Sequence, residues 1–198
     1  MRSRLLIRSF PILLVLTCSP TAEPDYLPVE FSVNADLLGE SFYSHLLSFS
    51  IDYPLEVQVV DSAEKLNFQE SIRADTNAYF KIDLLDMNHS SRGMVITVSI
   101  IDSIETVSKI LNDHYLEQLK TTFNTQAIKR NQVSINNIHT VQFIVTSEEY
   151  INIKLFMLLK PSIIQVDYFI PDHQYYELLE QIESSIGSIS HKKKEEKK

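Results

Sequence analysis

Residues 133–170 hold four apolar runs, and three residues separate each run from the next. The runs are 133–135, 139–146, 150–159 and 163–170, with Ser147-Glu148-Glu149 and Lys160-Pro161-Ser162 among the links. A parallel pair needs a crossover of about a dozen residues, so strands joined this closely pair antiparallel. That constraint commits the second half of the chain to an antiparallel sheet.

Helical patterns flank this block. Ser103 stands at a cap position and Glu105 suits the positive end of a helix dipole. Ile104, Val107, Ile110, Leu111, Leu119 and Phe123 then recur on one side as far as Asn124, with Lys120 in the last turn. Asp172 is placed to cap a final helix over 173–186. Its Tyr175, Leu178, Leu179, Ile182 and Ile186 form one stripe, and Gly187 is the expected stop. Earlier, 29–33 and 45–53 alternate apolar and polar residues in the period of half-buried strands, and Pro54 ends the second. Segments 57–60, 66–72, 79–85 and 94–101 read as further strands, with Asn88 to Gly93 as a turn-rich link. Strands, a long helix, antiparallel strands and a last helix indicate an α+β fold, an antiparallel sheet covered by helices.

The N-terminus has a different character. Residues 1–8 are basic, 10–17 are apolar, and the polar, Pro-containing stretch SPTAEPDYLP begins after Cys18. This is the layout of an export signal, and it is too short for a membrane span, which needs about 20 apolar residues. The expected organisation is a signal peptide over 1–17, a tether over 18–28, one domain over 29–190 and a disordered charged tail over 191–198. Cys18 is the single cysteine of the 198 residues, so no disulfide forms within the chain. Leu14-Val15-Leu16-Thr17-Cys18 resembles a bacterial lipoprotein box. That resemblance implies lipidation of the Cys18 thiol, palmitate-type acyl chains as membrane partner, and an envelope location at the cell membrane or outer membrane. Ordinary secretion and retention as an uncleaved segment are the alternatives.

Charge supports attachment by hydrocarbon over attachment by electrostatics. The total is −8, yet Arg2, Arg4 and Arg8, and a tail of five Lys against two Glu, each contribute +3. Residues 9–190 therefore carry −14. Such a body repels phosphate, which argues against nucleic acid as a partner and against anionic lipid surfaces.

Phe49-Ser50-Ile51-Asp52-Tyr53-Pro54 followed by Val57-Gln58-Val59 is similar to markers of the PsbP-like superfamily of photosystem extrinsic proteins, a Ran-binding import factor and bacterial lipoproteins. So are the run 95–101 leading into a helix, Val133-Ser134-Ile135-Asn136-Asn137, Tyr168-Phe169-Ile170-Pro171 and the ending Ile182-Glu183-Ser184-Ser185-Ile186. The resemblance spans most of 45–189. It implies an α-β-α sandwich used as an adaptor or binding module, with no shared catalytic motif.

Catalytic signals are sparse. His45, His89, His114, His139, His173 and His191 form no HxH or HxxxH pair; only His114 and Glu117 share a helix face. There is no GxSxG, GxxxxGK or GxGxxG, and three glycines do not build such loops in quantity. Glu148 and Glu149 fall at a turn, and Asp83 and Asp86 adjoin an apolar strand where burial would perturb them. Tyr168, Phe169, Tyr175 and Tyr176 mark a possible aromatic-lined pocket. Asn88-His89-Ser90 is a glycosylation sequon without meaning in a bacterial-type lipoprotein. The expectation is a non-enzymatic, lipid-anchored accessory module without cofactor or metal, binding an unknown protein or small molecule. The alternative is a hydrolase or metal-dependent enzyme whose site assembles only in the fold.

Overall fold

A computed structural model describes residues 27–74, 79–101 and 109–192. The fold is α+β, as expected. In chain order the strands are β1 (Leu27–Val29), β2 (Leu38–Ser44), β3 (Phe49–Pro54), β4 (Val57–Val59), β5 (Asp83–Ser90) and β6 (Val95–Ile101). Then come β7 (Ile128–Ile135), β8 (Ile138–Thr146), β9 (Tyr150–Leu159), β10 (Ser162–Pro171) and β11 (Ser190–His191). The helices are α1 (Ser62–Ala74), α2 (Asp113–Thr122) and α3 (Tyr175–Ser188).

Eight strands form the large sheet, in the order β1-β7-β8-β9-β10-β6-β5-β4, and β11-β3-β2 form a small one. Every pairing in the large sheet is antiparallel except that of β1 with β7. The four expected hairpin strands are all present. Asn136 and Asn137, both in the left-handed region at φ 48° and 64°, make the two-residue turn that sets Ile135 opposite Ile138. Leu159 stands opposite Ser162 across the next turn, and the ladder then runs ten pairs to Pro171 and Tyr150.

Each face of the large sheet is covered. Toward one side Ile96, Val98, Ile153, Leu155, Val166 and Tyr168 pack with Leu178, Ile182 and Ile186 of α3 and with Phe49 and Ile51 of the small sheet. Toward the other, Val141, Phe143, Phe156 and Ile163 pack with Tyr115 and Leu119 of α2 and with Phe80. The result is a sheet between helical layers.

Several local expectations need correction. Residues 66–72 lie within α1, not in a strand. The Asp61 carboxylate accepts from the Ala63 and Glu64 N–H groups at 2.8 and 2.9 Å and starts that helix. The strand expected over 79–85 begins at Asp83; Tyr79 and Phe80 turn instead into the aromatic cluster beneath α2. Asn88, His89 and Ser90 belong to β5, so the turn is confined to the residues before Met94, where the Ser90 hydroxyl accepts from the Met94 N–H at 3.1 Å. Of the run 45–53, the first four residues make the turn after β2, a strand the pattern did not indicate, and β3 begins only at Phe49. The long helix breaks at Asn112, whose side chain accepts from the His114 N–H at 3.0 Å and starts α2 afresh. Ser103 lies outside the described residues. Asp172 opens a short 3-10 turn without capping α3 through its side chain. Gly187 is inside α3. A Cβ there would come within 2.8 Å of Phe31 and Val33 side-chain atoms, so the glycine serves close packing and does not stop the helix. Leu27 and Pro28, assigned to the tether, form β1, and His191, assigned to the tail, pairs in β11 opposite Phe49.

Candidate binding groove

Pro171 ends β10, and the chain turns through Asp172 into α3 beside the starts of β7 and β9. The Asp172 N–H donates to the Glu149 carbonyl at 3.0 Å, which ties the helix start to the β8–β9 hairpin. Between α3 and the sheet this leaves a groove of about 550 Å³. Its floor is apolar, from Ile144 and Ile151, its wall carries Tyr175 and Tyr176, Lys129 and Asp172 stand at its rim, and Ile128 borders it while packing against the opposite cluster. The two tyrosine rings meet edge to face at 5.4 Å. Tyr175 is half-buried against the core, and burial first, then Glu183 and Tyr176, raise its phenol above the ordinary 10.0. Tyr176 is 86% exposed and carries the aromatic wall out to solvent.

Tyr175 and Tyr176, two of the four expected aromatics, therefore line one concavity. Tyr168 does not reach it: the residue is fully buried and its hydroxyl bonds with the Ser185 hydroxyl at 2.9 Å. Phe169 points to the opposite face, against Tyr150. A second, more open depression of about 620 Å³ adjoins the groove through Gln126 and Thr146, and Glu148, Glu149 and Tyr150 line it.

The remaining marked residues are dispersed. Cys18 lies outside the described residues. His114 stacks near Tyr79 at 5.7 Å, while Glu117 pairs with Lys120 at 2.6 Å. His45 lies edge-on to Tyr43 at 4.5 Å, and His191 Nδ1 is 3.1 Å from the Leu47 carbonyl. Among the described residues no three His, Cys, Asp or Glu converge as a metal site would require. Asp83 pairs with Arg73 at the surface. Asp86 is enclosed: Tyr53 donates to it at 2.7 Å, Asn88 at 2.9 Å, and Lys65 pairs with it at 2.5 Å.

One constellation escaped the sequence reading. Lys154 and Asp167 stand directly opposite on β9 and β10, both buried, and their charged groups meet at 2.6 Å. The Gln165 amide donates to the other Asp167 oxygen at 2.5 Å. Phe143, Phe156 and Tyr115 surround this pair in a chain of edge-to-face contacts at 5.4–6.0 Å. A signal was present: lone opposite charges in two successive apolar runs, each five residues from the turn-flanking pair Leu159–Ser162.

No family model matches the sequence, and no curated protein matches it. Solved structures do. Cyanobacterial PsbP (CyanoP) from Synechocystis is 11% identical, with a TM-score of 0.50 over 77% of this chain and 92% of that one. A Bacteroides thetaiotaomicron protein is 11% identical at TM-score 0.42, over 81% of this chain and 51% of that one. A Pseudomonas aeruginosa protein of unknown function is 10% identical at 0.40, over 78% and 98%. At these identities the likeness concerns fold alone, and the first comparison agrees with the resemblance read from the sequence: the chain has a PsbP-like fold.

Proposed function

We propose that this chain is a non-enzymatic accessory module of the cell envelope, held to a membrane by acyl chains on Cys18 and presenting the tyrosine groove to a ligand. The observation that carries the binding role is how polar groups are used. The buried Lys154 and Gln165 are both engaged with Asp167, and the half-buried Asp86 with Lys65, Tyr53 and Asn88. The groove, by contrast, offers apolar floor, exposed aromatic surface and one charge of each sign, which is recognition chemistry. Anchoring is supported by the export layout ending in the sole thiol and by an acidic body that would not adhere to anionic lipid.

Two measurements in intact cells test this. Cys18→Ser should abolish detergent-phase partitioning and change the processed mass; unchanged partitioning ends the anchoring claim. A photo-crosslinking residue in place of Tyr176 should capture a partner that the same residue in place of Leu46, exposed in the β2–β3 turn, does not. Equal capture at both positions ends the groove claim.

A further inference from the structure

At β7 the edge of the large sheet is half covered. β1 pairs with Val133, Ser134 and Ile135, and no described strand lies beside residues 128–132. The pairing shows which backbone groups are open there. The Ala127 carbonyl accepts from the Thr146 N–H at 2.9 Å, and Ile128 stands opposite Val145. Bonded and non-bonded pairs alternate along an antiparallel ladder. Lys129, Asn131 and Val133 therefore turn their amides to β8, while Arg130, Gln132 and Ser134 turn theirs outward. Pro28 agrees with this phase. It lies beside Ser134, where β1 needs no inward N–H, and a proline there breaks no ladder bond.

This open edge borders the groove. Ile128 and Lys129 line the groove from β7, so one segment lying along the strand would meet both. Lys129 has no ion pair among the described residues, although the body around it is strongly acidic. Arg130, next to it, turns to the α2 side, where its guanidinium donates to the Leu111 carbonyl at 2.8 Å and stands 3.4 Å from Asp113. Among the described residues this edge has outward amides with no strand beside them, and on the groove face the cation Lys129 next to an apolar pocket. Two copies pairing edge to edge would bring these cations together, which disfavours self-association.

We infer that residues 128–132 of β7 take up an extended acidic segment of another protein as an added strand, with an apolar side chain seated against Tyr175 and Tyr176. The inference rests on the groove being the binding face and adds the class of partner. Backbone hydrogen bonds would hold the segment, and alternate side chains would select it, one set facing Lys129 and the groove.

The test is selection of displayed random peptides of about ten residues on the full chain, long enough to span a strand with flanks. The enriched family should carry an acidic and an apolar residue two positions apart, on the face turned to Lys129 and the groove. Gln132→Pro removes one outward N–H and leaves the β8 ladder intact; it should weaken the selected peptide by about tenfold or more, and Lys129→Glu should do likewise. Leu46→Asp should leave affinity unchanged. Where Gln132→Pro fails to fold, amide exchange in the unaltered chain decides: peptide should slow the Arg130 and Gln132 amides. Failure to enrich any peptide overturns the inference. So does equal binding by Gln132→Pro, or binding only to a chain lacking the residues before Leu27, which would mean that those residues occupy the edge. A partner captured at Tyr176 with no dependence on the edge would leave the groove reading standing and this one refuted.

Discussion

Toward α3 the strands of the large sheet present Ile96, Val98, Ile153, Leu155 and Val166; toward α2 the same strands present Thr97, Ser99, Lys154, Gln165 and Asp167. Both sets are buried, but they are buried by different means. The α3 side is mainly aliphatic, and its central polar link is a relay of hydroxyls: Tyr168 to Ser185, and Ser185 donating to the Asp52 carbonyl at 2.7 Å. On the α2 side a charge pair and an amide sit among aromatic rings. An aliphatic layer gains free energy in proportion to the area removed from water. A buried ion pair gains little net, because desolvation of both groups offsets their attraction. Its cost is felt when one partner is lost, and its geometry tolerates one register only.

The largest effect should follow from breaking that pair. Asp167→Ala leaves Lys154 buried and uncompensated and should cost about 3–5 kcal/mol in urea unfolding, whereas Lys154→Met with Asp167→Leu should restore stability or exceed it. A single-variant cost below about 1 kcal/mol would mean that the pair behaves as a solvated one and that the two faces do not differ in kind.

Next comes the packing of the α3 layer. Gly187→Ala sets a methyl 2.8 Å from Phe31 and Val33 and should cost about 1–3 kcal/mol by thermal unfolding. A neutral result would show that the 31–33 segment yields freely.

Alkaline titration samples both faces at once. Burial raises Tyr53 and Tyr168 on the α3 side and Tyr115 on the α2 side above the ordinary phenol value of 10.0. The Asp86 charge adds to the rise at Tyr53 and the Asp167 charge at Tyr115, while the Ser185 bond partly offsets it at Tyr168. Below pH 10 these phenols are protonated in the folded and unfolded chains alike, so their contribution is intact. As pH climbs past 10 the unfolded chain loses protons that the folded chain keeps, and stability falls by about 1.4 kcal/mol per pH unit for each such tyrosine. Tyr168→Phe should flatten the decline by one group; an unchanged slope would place that phenol in contact with water.

The smallest change should come from the surface of α2. Glu117→Gln removes an exposed i,i+3 pair with Lys120 and should alter stability by no more than about 0.5 kcal/mol. A larger loss would show that α2 depends on its own charges and not on the face it covers.

What was legible in the sequence was local. The β7–β8, β8–β9 and β9–β10 hairpins follow from period-two runs and short polar links, and the α3 stripe from its 3.6 period. Residues 66–72 misled because Leu66, Phe68 and Ile72 suit a strand face as readily as a helix. The Asp61 cap and the hold of Gln69 on the β5 edge, through the Leu84 N–H and the Ile82 carbonyl, decide for the helix. β2 went unseen because its residues are mostly half-exposed or exposed and carry little apolar periodicity. Of the groove, Tyr175 and Tyr176 were visible as aromatics, but Lys129, Ile144 and Ile151 come from three strands that no short-range pattern connects.

By itself the sequence determined the antiparallel hairpins and the final helix, since each depends on neighbours within a few residues. Only the tertiary structure decided that Lys154 would close on Asp167 in an aromatic setting, that Gly187 would admit Phe31 and Val33, and that half of the β7 edge would stand beside a tyrosine groove. These depend on which faces and edges distant segments cover, and burial is a property of the assembled layers.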